Sequence, residues 1–424
     1  MEQWRRNNLA AALSVFLLTA GFSFTIPFLP LYLQEIEDMS GEQAAMWAGV
    51  ATALGGIGAF VSGPLWGILG DKVGRKPMLV RAAAGGAVGL AAFALAETTW
   101  QVLAIRSFVG IMAGAPAAAM ALIAAGTPEA ELPKALGSFQ AVSLFGLAMG
   151  PAAAAVLIEL FDYRGTFLLT AAVMLAGAVA SVFLIREDKS TLRRNAGASP
   201  SNGLGELGEL LRVPAIRATL GVALILGLGV PMVQPVLSSF IKELLEEGRS
   251  VNLVVGSIFF GISAAGGIGA MLTGRALRRV PTRRLLVVAS AVAGLLLVPQ
   301  AGAQAVWHLV PFVLGMAFFH GSLQASTVAL VSSVVSRASA SAGFGLYQSV
   351  QAASAQLAPA VGGLLVAMVG FRGVFVTAGA VLLVASFVAA RVLPGAPAVG
   401  PAPLSAPAAQ QPGPPVDLAE PEPA

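Results

Sequence analysis

The chain of 424 residues lacks cysteine altogether, and it has only 2 histidines and few charged residues. Without cysteine, a disulfide, a thiolate metal site and a cysteine nucleophile are all excluded. Two histidines are too few for the usual zinc or di-iron centres, so no metal and no other cofactor is expected. Charged residues make up 11% of the chain, whereas a soluble domain has about 25%. This deficit excludes both a disordered chain and a water-soluble multidomain enzyme.

The chain contains many long apolar segments. Apolar residues make up 57% of the chain, and the mean hydropathy is +0.82. An apolar helix of about 20 residues crosses a bilayer, and twelve such segments lie between charged residues. The predicted spans are 9–33, 44–70, 78–96, 101–124, 135–159, 165–186, 215–241, 251–274, 284–302, 307–334, 341–369 and 373–392. The first follows two arginines, as in a signal peptide, but it is too long for one and contains Pro27 and Pro30, so we interpret it as a retained span.

The basic residues are distributed unevenly about these spans. An even number of spans places both termini on one side, and 20 of the 25 Lys and Arg then lie on that side. Arg164, Lys242, Arg249 and Arg372 lie on the other side, and Arg106 lies within a span. Since cytoplasmic loops are enriched in Lys and Arg, this distribution predicts cytoplasmic N and C termini in a multi-pass protein of the cell (inner) membrane. A nucleic-acid binder would gather these charges on one soluble face, so no nucleic-acid partner is expected.

The spans divide into two groups of six. The predicted organisation is an N-terminal six-helix bundle at 1–186, a cytoplasmic linker at 187–214, a C-terminal six-helix bundle at 215–392 and a tail at 393–424. The tail is rich in Pro and Ala and is unable to bury a core, so it is predicted to be a disordered cytoplasmic extension.

The two halves share a weak sequence repeat with an offset of 208 residues. Residues 137–140 (Gly-Ser-Phe-Gln) recur as 345–348 (Gly-Leu-Tyr-Gln), and residues 163–167 (Tyr-Arg-Gly-x-Phe) recur as 371–375 (Phe-Arg-Gly-x-Phe). Several coincidences at one offset support an ancestral duplication. The two halves are then expected to be parallel repeats related by an axis along the membrane normal.

The loop after the second predicted span carries a distinctive pattern. It reads Gly67-Ile-Leu-Gly-Asp71-Lys-Val-Gly74-Arg75-Lys76-Pro-Met-Leu79. The glycines let helix ends approach closely and let the chain reverse tightly. Asp71 can accept a hydrogen bond from Arg75 or lie against the positive end of a helix. The string resembles the G-x-L-a-D-x-x-G-r-k-x-x-l signature of the major facilitator superfamily; the alternative is an ordinary basic turn.

A second glycine pattern lies in the fifth predicted span. Gly137, eight residues, Gly146, three residues and then Gly150-Pro151 resemble the G-x8-G-x3-G-P signature of proton-coupled antiporters in that superfamily. Small residues at i and i+4 make a flat helix face, and proline removes a backbone hydrogen bond. The usual second pair of glycines is replaced by the alanines at 152–155. The alternative interpretation is ordinary packing of small residues.

Arg106 lies in the fourth predicted span, in the pattern Leu103-x-x-Arg106-x-x-x-Gly110-x-x-x-Gly114. The pattern resembles the superfamily's span-four motif, whose arginine is tied to proton transfer, although Val109 stands where glutamine is usual. An arginine within hydrocarbon is costly unless it is paired or hydrated. The alternative is that Arg106, about one and a half turns inside the span, extends its charge to the headgroups.

The resemblance extends over residues 1 to about 392 and includes Gly21-x5-Pro27-Phe-Leu-Pro30, which is similar to a signature of the twelve-span drug:proton antiporter branch. It implies an all-α membrane protein of twelve transmembrane helices, arranged as two six-helix bundles that rock about a central site. The implied function is export of drugs in exchange for protons, as in bacterial multidrug exporters. The implied partners are a small-molecule substrate, protons and the lipid bilayer, and a monomer is expected.

In this family the central cavity is lined mainly by spans one, four, seven and ten. The candidate cargo-binding residues in those spans are Phe22, Phe24, Met112, Met120, Met232, Gln234, Phe318, Phe319 and Gln324. Aromatic and methionine side chains adapt to varied shapes. Lipophilic cargo, planar or cationic molecules included, therefore fits better than sugars. The alternative is that most of these side chains face lipid or pack helices.

The coupling groups are less evident, because every Asp and Glu falls in a loop or near a span end. His320, midway along the tenth span, is the one titratable group near mid-membrane, and Arg106 is the second coupling candidate. A histidine that simply bonds a neighbouring helix is the alternative. Three other functions stay open: a proton-independent exporter of a native metabolite or siderophore, a membrane sensor, and an enzyme. The last is disfavoured by the lack of a nucleophile–base set.

Overall fold

Helix is the only regular structure that the described residues form, as expected where a backbone inside a bilayer has to satisfy its own hydrogen bonds. The computed structural model describes residues 3–187, 203–335 and 340–393, without the side chains of Asp71, 203–207 and 340–342. The helices are α1 (Gln3–Ser23), α2 (Thr25–Ile36), α3 (Gly41–Val73), α4 (Arg75–Ala94), α5 (Thr99–Ile111), α6 (Ala115–Gly126), α7 (Leu132–Leu184), α8 (Gly203–Arg212), α9 (Pro214–Gly229), α10 (Gln234–Leu244), α11 (Val251–Ala276), α12 (Thr282–Leu297), α13 (Val306–Val334) and α14 (Ala340–Val392).

Within the described ranges, nine helical segments are long and apolar enough to cross a membrane. A tenth is the pair α1 and α2, bent by 41°. Three helices start where a hydroxyl side chain caps the first turn: Ser40 before α3, Thr98 before α5 and Ser250 before α11 each accept a backbone N–H. The starts of these three helices therefore follow local capping chemistry.

Helix α7 is two antiparallel segments joined at Asp162, the one residue in it with non-helical angles (φ 58°, ψ −176°). Before this break, later residues of α7 contact later residues of α1; after the break, later residues of α7 contact earlier residues of α1. They pair Gly146 with Thr19, Gly150 with Ser23, Met174 with Gly21 and Ser181 with Ser14. The predicted fifth and sixth spans therefore correspond to the two arms of α7.

Helix α14 reverses in the same way at Gly370 (φ 67°, ψ 178°). Ser354 contacts Gly227 and Leu382 contacts Gly229. These two α14 residues would lie about 40 Å apart in a straight helix, yet their partners are two residues apart on α9. Gly370 follows Asp162 by 208 residues, so the repeat found in the sequence places the two reversals at equivalent positions.

The same offset relates the aromatic packing beside each reversal. The ring centroids of Tyr32 and Phe167 are 5.0 Å apart, and those of Phe240 and Phe375 are 5.3 Å apart. Tyr32 also lies 5.8 Å from the ring of Tyr163, where the second half pairs Phe240 with Phe371 at 6.0 Å. In each half these rings join the first helix pair to the reversal.

Glycine crossings form a second repeated feature. A β-carbon at Gly110 would overlap the carbonyl oxygen of Gly55, so α3 and α5 touch backbone to backbone. In the second half a β-carbon at Gly321 would overlap the carbonyl oxygen of Gly266, where α11 meets α13. Only glycine permits helix axes to approach this closely. A crossing of this kind thus occurs in each half.

We call the side of the molecule where α1 begins the terminal face and the side where α7 reverses the opposite face. Every hydrogen bond between the first half (α1–α7) and the second half (α9–α14) that the described residues form lies at the opposite face. These bonds pair Gln34 with Lys242 (2.9 Å) and Ser239 (3.4 Å), Glu159 with Ser250 (2.5 Å) and Asn252 (3.0 Å), and Tyr163 with Asn252 (2.6 Å). The halves are therefore closed together on this side.

Toward the terminal face the halves diverge. On α3, a β-carbon at Gly49 would overlap the carbonyl oxygen of Pro359, and one at Gly56 would overlap the side chain of Gln356. Phe60, one turn farther along the same side of α3, is 76% exposed. Since no hydrogen bond among the described residues joins the halves on this side either, we describe the conformation as open toward the terminal face.

The predicted linker differs from an irregular connection, because its residues 203–212 form α8. Leu210 of α8 is buried with Ile216 and Tyr347, so this short helix packs on the second half. Its leucines recur at three to four residues, which buries one side of a helix. Residues 188–202 of the linker and 394–424 of the predicted tail lie outside the described part.

The reversal at Asp162 generates a stability prediction. Positive φ with extended ψ is a conformation that few residues other than glycine adopt, at a cost of about 1–3 kcal/mol. Asp162 offsets this cost because its Oδ1 accepts the Gly165 N–H at 2.7 Å. Asp162→Ala should therefore lower the free energy of unfolding, and Asp162→Gly should recover part of the loss. Thermal unfolding of the purified protein in detergent measures both.

The matched control is Gly370→Ala, which introduces a side chain at the equivalent reversal and should also lower the unfolding temperature. Equal unfolding temperatures for Asp162→Ala and Asp162→Gly would show that the backbone at this position is unstrained.

Candidate functional site

Two adjoining cavities lie toward the middle of the helices. The central cavity, of about 350 Å³, lies between the two halves, and the side cavity, of about 250 Å³, is lined by the first half together with Gln356 of the second. The central cavity's polar lining residues are Ser23, Thr52, Arg106, Gln234, Ser263 and Gln356, and its other lining residues are apolar. Thr52, Arg106 and Gln356 line both cavities. The three shared residues form the boundary between them.

Arg106 extends from α5 into this boundary. Its Nη1 donates to Thr25 Oγ1 at 3.2 Å, while its Nε is buried without a hydrogen-bond partner. No carboxylate of the described residues forms an ion pair with it, and none lines either cavity. The sequence left Arg106 open between a cavity position and the headgroups; the structure places its guanidinium at the cavities.

Three of the predicted cargo-binding residues line these cavities. Gln234, at the start of α10, lines the central cavity, and Phe22 and Met112 line the side cavity. Phe22 and Met112 each lie where a glycine of α4 leaves room, since β-carbons at Gly86 and Gly85 would come within 3 Å of them. The space for these large side chains therefore comes from α4.

Phe24, Met232 and Met120 are placed elsewhere, contrary to the expectation. Phe24 is 2% exposed and packs on Phe167, and Met232 is 3% exposed and packs on Gly362. Met120 lies on α6 with 42% of its surface exposed, outside both cavities. Phe24 lies at the break between α1 and α2, and Met232 lies in the 3-10 turn at residues 231–233.

The candidates on α13 also lie outside the two cavities. Phe318 and Phe319, whose ring centroids are 5.2 Å apart, line a separate pocket against α11 and α12. Gln324 accepts a hydrogen bond from Gln351 Nε2 at 2.5 Å. From this helix it is Met316 that lines the central cavity. The sequence did not single out Met316, because one more apolar residue in an apolar span carries no signal.

His320 lies midway along α13, one turn from Met316 on one side and from Gln324 on the other. It therefore shares a helix face with the residue that lines the central cavity. Its Nδ1 is buried, and no described residue forms a hydrogen bond with it. A buried polar atom without a hydrogen bond lowers the stability of a fold, so its presence calls for an explanation, such as a functional role.

The span that carries Arg106 is broken at residues 112–114, between α5 and α6. Gly114 has φ 117°, and two carbonyls at the break are bonded by side chains from other helices. Trp66 Nε1 donates to Ile111 O at 2.6 Å, and Arg81 Nη2 donates to Ala113 O at 3.0 Å. The Arg81 guanidinium carbon also lies 3.7 Å from the centre of the Trp66 ring. The pair holds the break beside the side cavity; the sequence alone gives no sign of it.

The loop motif forms the turn between α3 and α4. Gly74 occupies it with φ 119°, and Gly67 lies on an open side of α3. The backbone N–H groups of Arg75 and Lys76 donate to the Glu187 carboxylate at 2.7 and 3.0 Å. A carboxylate at a helix N-terminus satisfies unpaired N–H groups and interacts favourably with the helix dipole. The acid that holds this turn is therefore Glu187, beyond the end of α7, while the side chain of Asp71 lies outside the described part.

A similar carboxylate lies at the start of α5. Glu37 accepts the backbone N–H of Thr99 at 2.9 Å and its hydroxyl at 2.7 Å. These hydrogen bonds from Thr99 favour the ionised carboxylate and so lower the pKa of Glu37 below its usual range. The helix that carries Arg106 is thus anchored at its start by an acid from α2.

The glycine motif of α7 serves close packing. β-carbons at Gly146 and Gly150 would overlap Thr19 and Ser23 of α1, whereas one at Gly137 would meet nothing within 4 Å. Pro151, which follows, lines the central cavity. The motif's two inner glycines thus bring α1 and α7 together at the cavity, and Gly137 lies outside this contact.

A helical membrane fold with a closed face, an open face and a cavity between two repeated halves is that of a membrane transporter. The solved structures agree: the nucleoside transporter NupG has a TM-score of 0.75 at 15% identity, covering 91% of this chain and 98% of that one. A bacterial homologue of the human lysosomal transporter Spinster, in an inward-facing and occupied conformation, has a TM-score of 0.76 at 14% identity, covering 93% and 98%. At such identities the likeness shows the fold.

The chain belongs to the major facilitator superfamily, which it matches over residues 11–354 and 255–419. It is 30% identical to the multidrug resistance protein MdtG of Citrobacter koseri, over 89% of this chain and 93% of the relative. It is also 30% identical to MdtG of Dickeya zeae, over 91% and 93%. The resemblance inferred from the motifs is confirmed. The protein is a multi-pass transporter of the bacterial inner membrane and not an enzyme.

The Glu187 contact at the loop motif generates a prediction. Removing a helix N-terminal acceptor costs about 0.5–2 kcal/mol, so Glu187→Ala should lower the unfolding temperature of the purified protein, and Glu187→Gln should lower it less. Glu129→Ala, at an exposed acid on the next loop of the terminal face, is the matched control and should leave the temperature unchanged. A Glu187→Ala protein as stable as the control would show that the contact contributes nothing.

Proposed function

We propose that the protein exports lipophilic small molecules by proton antiport through alternating access. The observation that carries this proposal is the central cavity, which lies between the halves, is mainly apolar and is closed at the opposite face. The names of the MdtG relatives support drugs as the class of cargo. Apolar walls with a few polar groups are typical of sites for such molecules.

The proposed topology has twelve spans in two six-helix bundles. The nine apolar segments and the bent pair supply ten, and the reversals of α7 and α14 each add one. With the basic loops inside, the terminal face is cytoplasmic and the present conformation is open to the cytoplasm. The inter-half hydrogen bonds at the opposite face would then break when cargo is released outside, and one chain, as a monomer, contains the whole site.

Fusion of a topology reporter tests this arrangement. Fusions after residues 75, 200, 280 and 395 should report a cytoplasmic location, and fusions after residues 40, 163 and 248 an external one, because the latter positions follow or adjoin the opposite face. A cytoplasmic signal after residue 163 or 248 would be incompatible with twelve spans. The tail fusion at 395 is the internal control for expression.

The loop motif, Gly67 to Lys76, is proposed to set the balance between the two conformations. Glu187 holds the start of α4 in the conformation open to the terminal face. We expect Asp71 to act in the other conformation, since a group changes a two-state equilibrium only through contacts that differ between the states. The glycines of α7 and Pro151 are proposed to be the pivot between α1 and the cavity.

His320 and Arg106 are the proposed coupling residues. Arg106 keeps its charge at any physiological pH, so it can influence a proton site but not carry the proton. An imidazole is a side chain that can take up and release a proton; the Nδ1 of His320 is unbonded among the described residues, and His320 lies one helical turn from Met316 of the cavity lining. A proton-independent exporter is the second candidate, and it is favoured because no carboxylate of the described residues lines either cavity.

Transport into proteoliposomes under an imposed pH gradient distinguishes the two candidates. With a panel of lipophilic acids, neutral compounds and cations, an antiporter should accumulate cargo uphill, and an uncoupler should collapse the accumulation. His320→Gln should abolish uphill accumulation and spare downhill exchange, because only the proton site is lost. Arg106→Ala and Arg106→Lys should impair both, since an ammonium group does not reproduce the guanidinium geometry.

The control for His320→Gln is His308→Gln, at the other histidine, which lies in the first turn of α13 and should leave transport unchanged. Uphill transport that survives in His320→Gln would place the proton elsewhere. Accumulation that is insensitive to the uncoupler would favour the proton-independent exporter.

A further inference from the structure

The charge of the two cavities selects a chemical class of cargo. Arg106 is the only ionisable residue that the structure describes in the lining of either cavity. It lies at their shared boundary, next to Thr52 and Gln356, whose side chains are neutral. The cavities therefore carry a net positive charge that no protein group cancels.

The guanidinium also has unused hydrogen-bond donors. Only Nη1 donates to a protein atom, Thr25 Oγ1. Nε is buried and unbonded, and Nη2 forms no hydrogen bond with the part of the chain that the structure describes. A buried donor without an acceptor is unfavourable, and an arginine edge of two N–H groups matches the two oxygens of a carboxylate. An anion with more than one oxygen would satisfy both donors of this edge and offset the charge.

The space around Arg106 is shaped for an apolar body. On one side lie Ile26, Phe259 and Met316 of the central cavity, and on the other lie Phe22 and Met112 of the side cavity. Resting on the proposed export function, we infer that the cargo is a lipophilic organic anion, whose carboxylate or similar group binds Arg106 and whose aromatic or aliphatic body fills the central cavity.

Cations are correspondingly disfavoured. A buried charge is tolerated where an opposite charge or hydrogen bonds compensate it, and the described lining offers a cation no carboxylate and one repelling guanidinium. The sequence predicted planar or cationic cargo. The charge of the cavity lining favours planar acids and disfavours planar cations.

Equilibrium binding of three probes with one aromatic skeleton tests the inference. The probes are 2-naphthylacetate, its neutral methyl ester and the cationic trimethyl(2-naphthylmethyl)ammonium ion, titrated calorimetrically into the full-length protein in detergent. The proteins are the wild type, Arg106→Gln, Arg106→Lys and the control Arg217→Gln, at an exposed arginine of the terminal face.

For the wild type and the control we expect the carboxylate to bind at least about tenfold more tightly than the ester or the cation, the scale of one charge-assisted hydrogen bond. Arg106→Gln should remove this preference while the Kd of the ester stays within about twofold, which shows that the site is still folded. Arg106→Lys should keep part of the preference, because it keeps the charge without the fork.

Two results would overturn the inference. One is a carboxylate that binds wild-type protein no more tightly than the ester or the cation. The other is a preference for the carboxylate that persists in Arg106→Gln. Neither depends on transport: Arg106-dependent binding of the carboxylate without flux would count against export alone, whereas either of these two binding results, in a protein that still exports other compounds, would reject the anion site and leave export standing.

Discussion

A backbone inside the apolar layer of a membrane has to be hydrogen-bonded by the protein itself, and each irregularity of this structure depends on that constraint. Where α5 gives way to α6, the carbonyls of Ile111 and Ala113 are bonded by Trp66 and Arg81 from two other helices. The break can therefore exist at depth. It leaves an open space between α4 and α5, and that space is the side cavity beside Arg106.

The isolated charge of Arg106 has a consequence for how the halves separate. The hydrogen bonds that close the opposite face involve neutral groups together with Glu159 and Lys242, and none of the bonded residues lines either cavity. Arg106 takes part in none of them. The residues that would bind cargo in the cavity are thus different from those that close the opposite face. The two sets are connected through helices that cross at glycines. An effect of cargo on closure has to pass through the position of a helix as a whole.

The sequence predicted the family, the spans and the repeat, because hydropathy, basic loops and short motifs are local properties. It also placed Arg106, Phe22, Met112 and Gln234 near the site. It did not predict Glu187 at the start of α4, since nothing near that residue indicates which helix it contacts. The span breaks were equally hidden: Phe24 lies at the break between α1 and α2 and is buried against Phe167, and hydropathy does not record the direction in which a side chain points.

The glycine crossings and the reversals recur in the second half at two different sequence offsets. Asp162 and Gly370 are 208 residues apart, as are Tyr32 and Phe240, whereas Gly266 and Gly321 follow Gly55 and Gly110 by 211. The second half has therefore gained three residues before its crossing and lost three after it. The first change adjoins the connection that follows α2 and α10, where length is tolerated, and the second coincides with the break between α5 and α6, which has no counterpart in the continuous α13. A sequence comparison at one fixed offset matches the reversals and misses the crossings. The relation between the two halves is therefore easier to recognise in the three-dimensional structure than in the sequence.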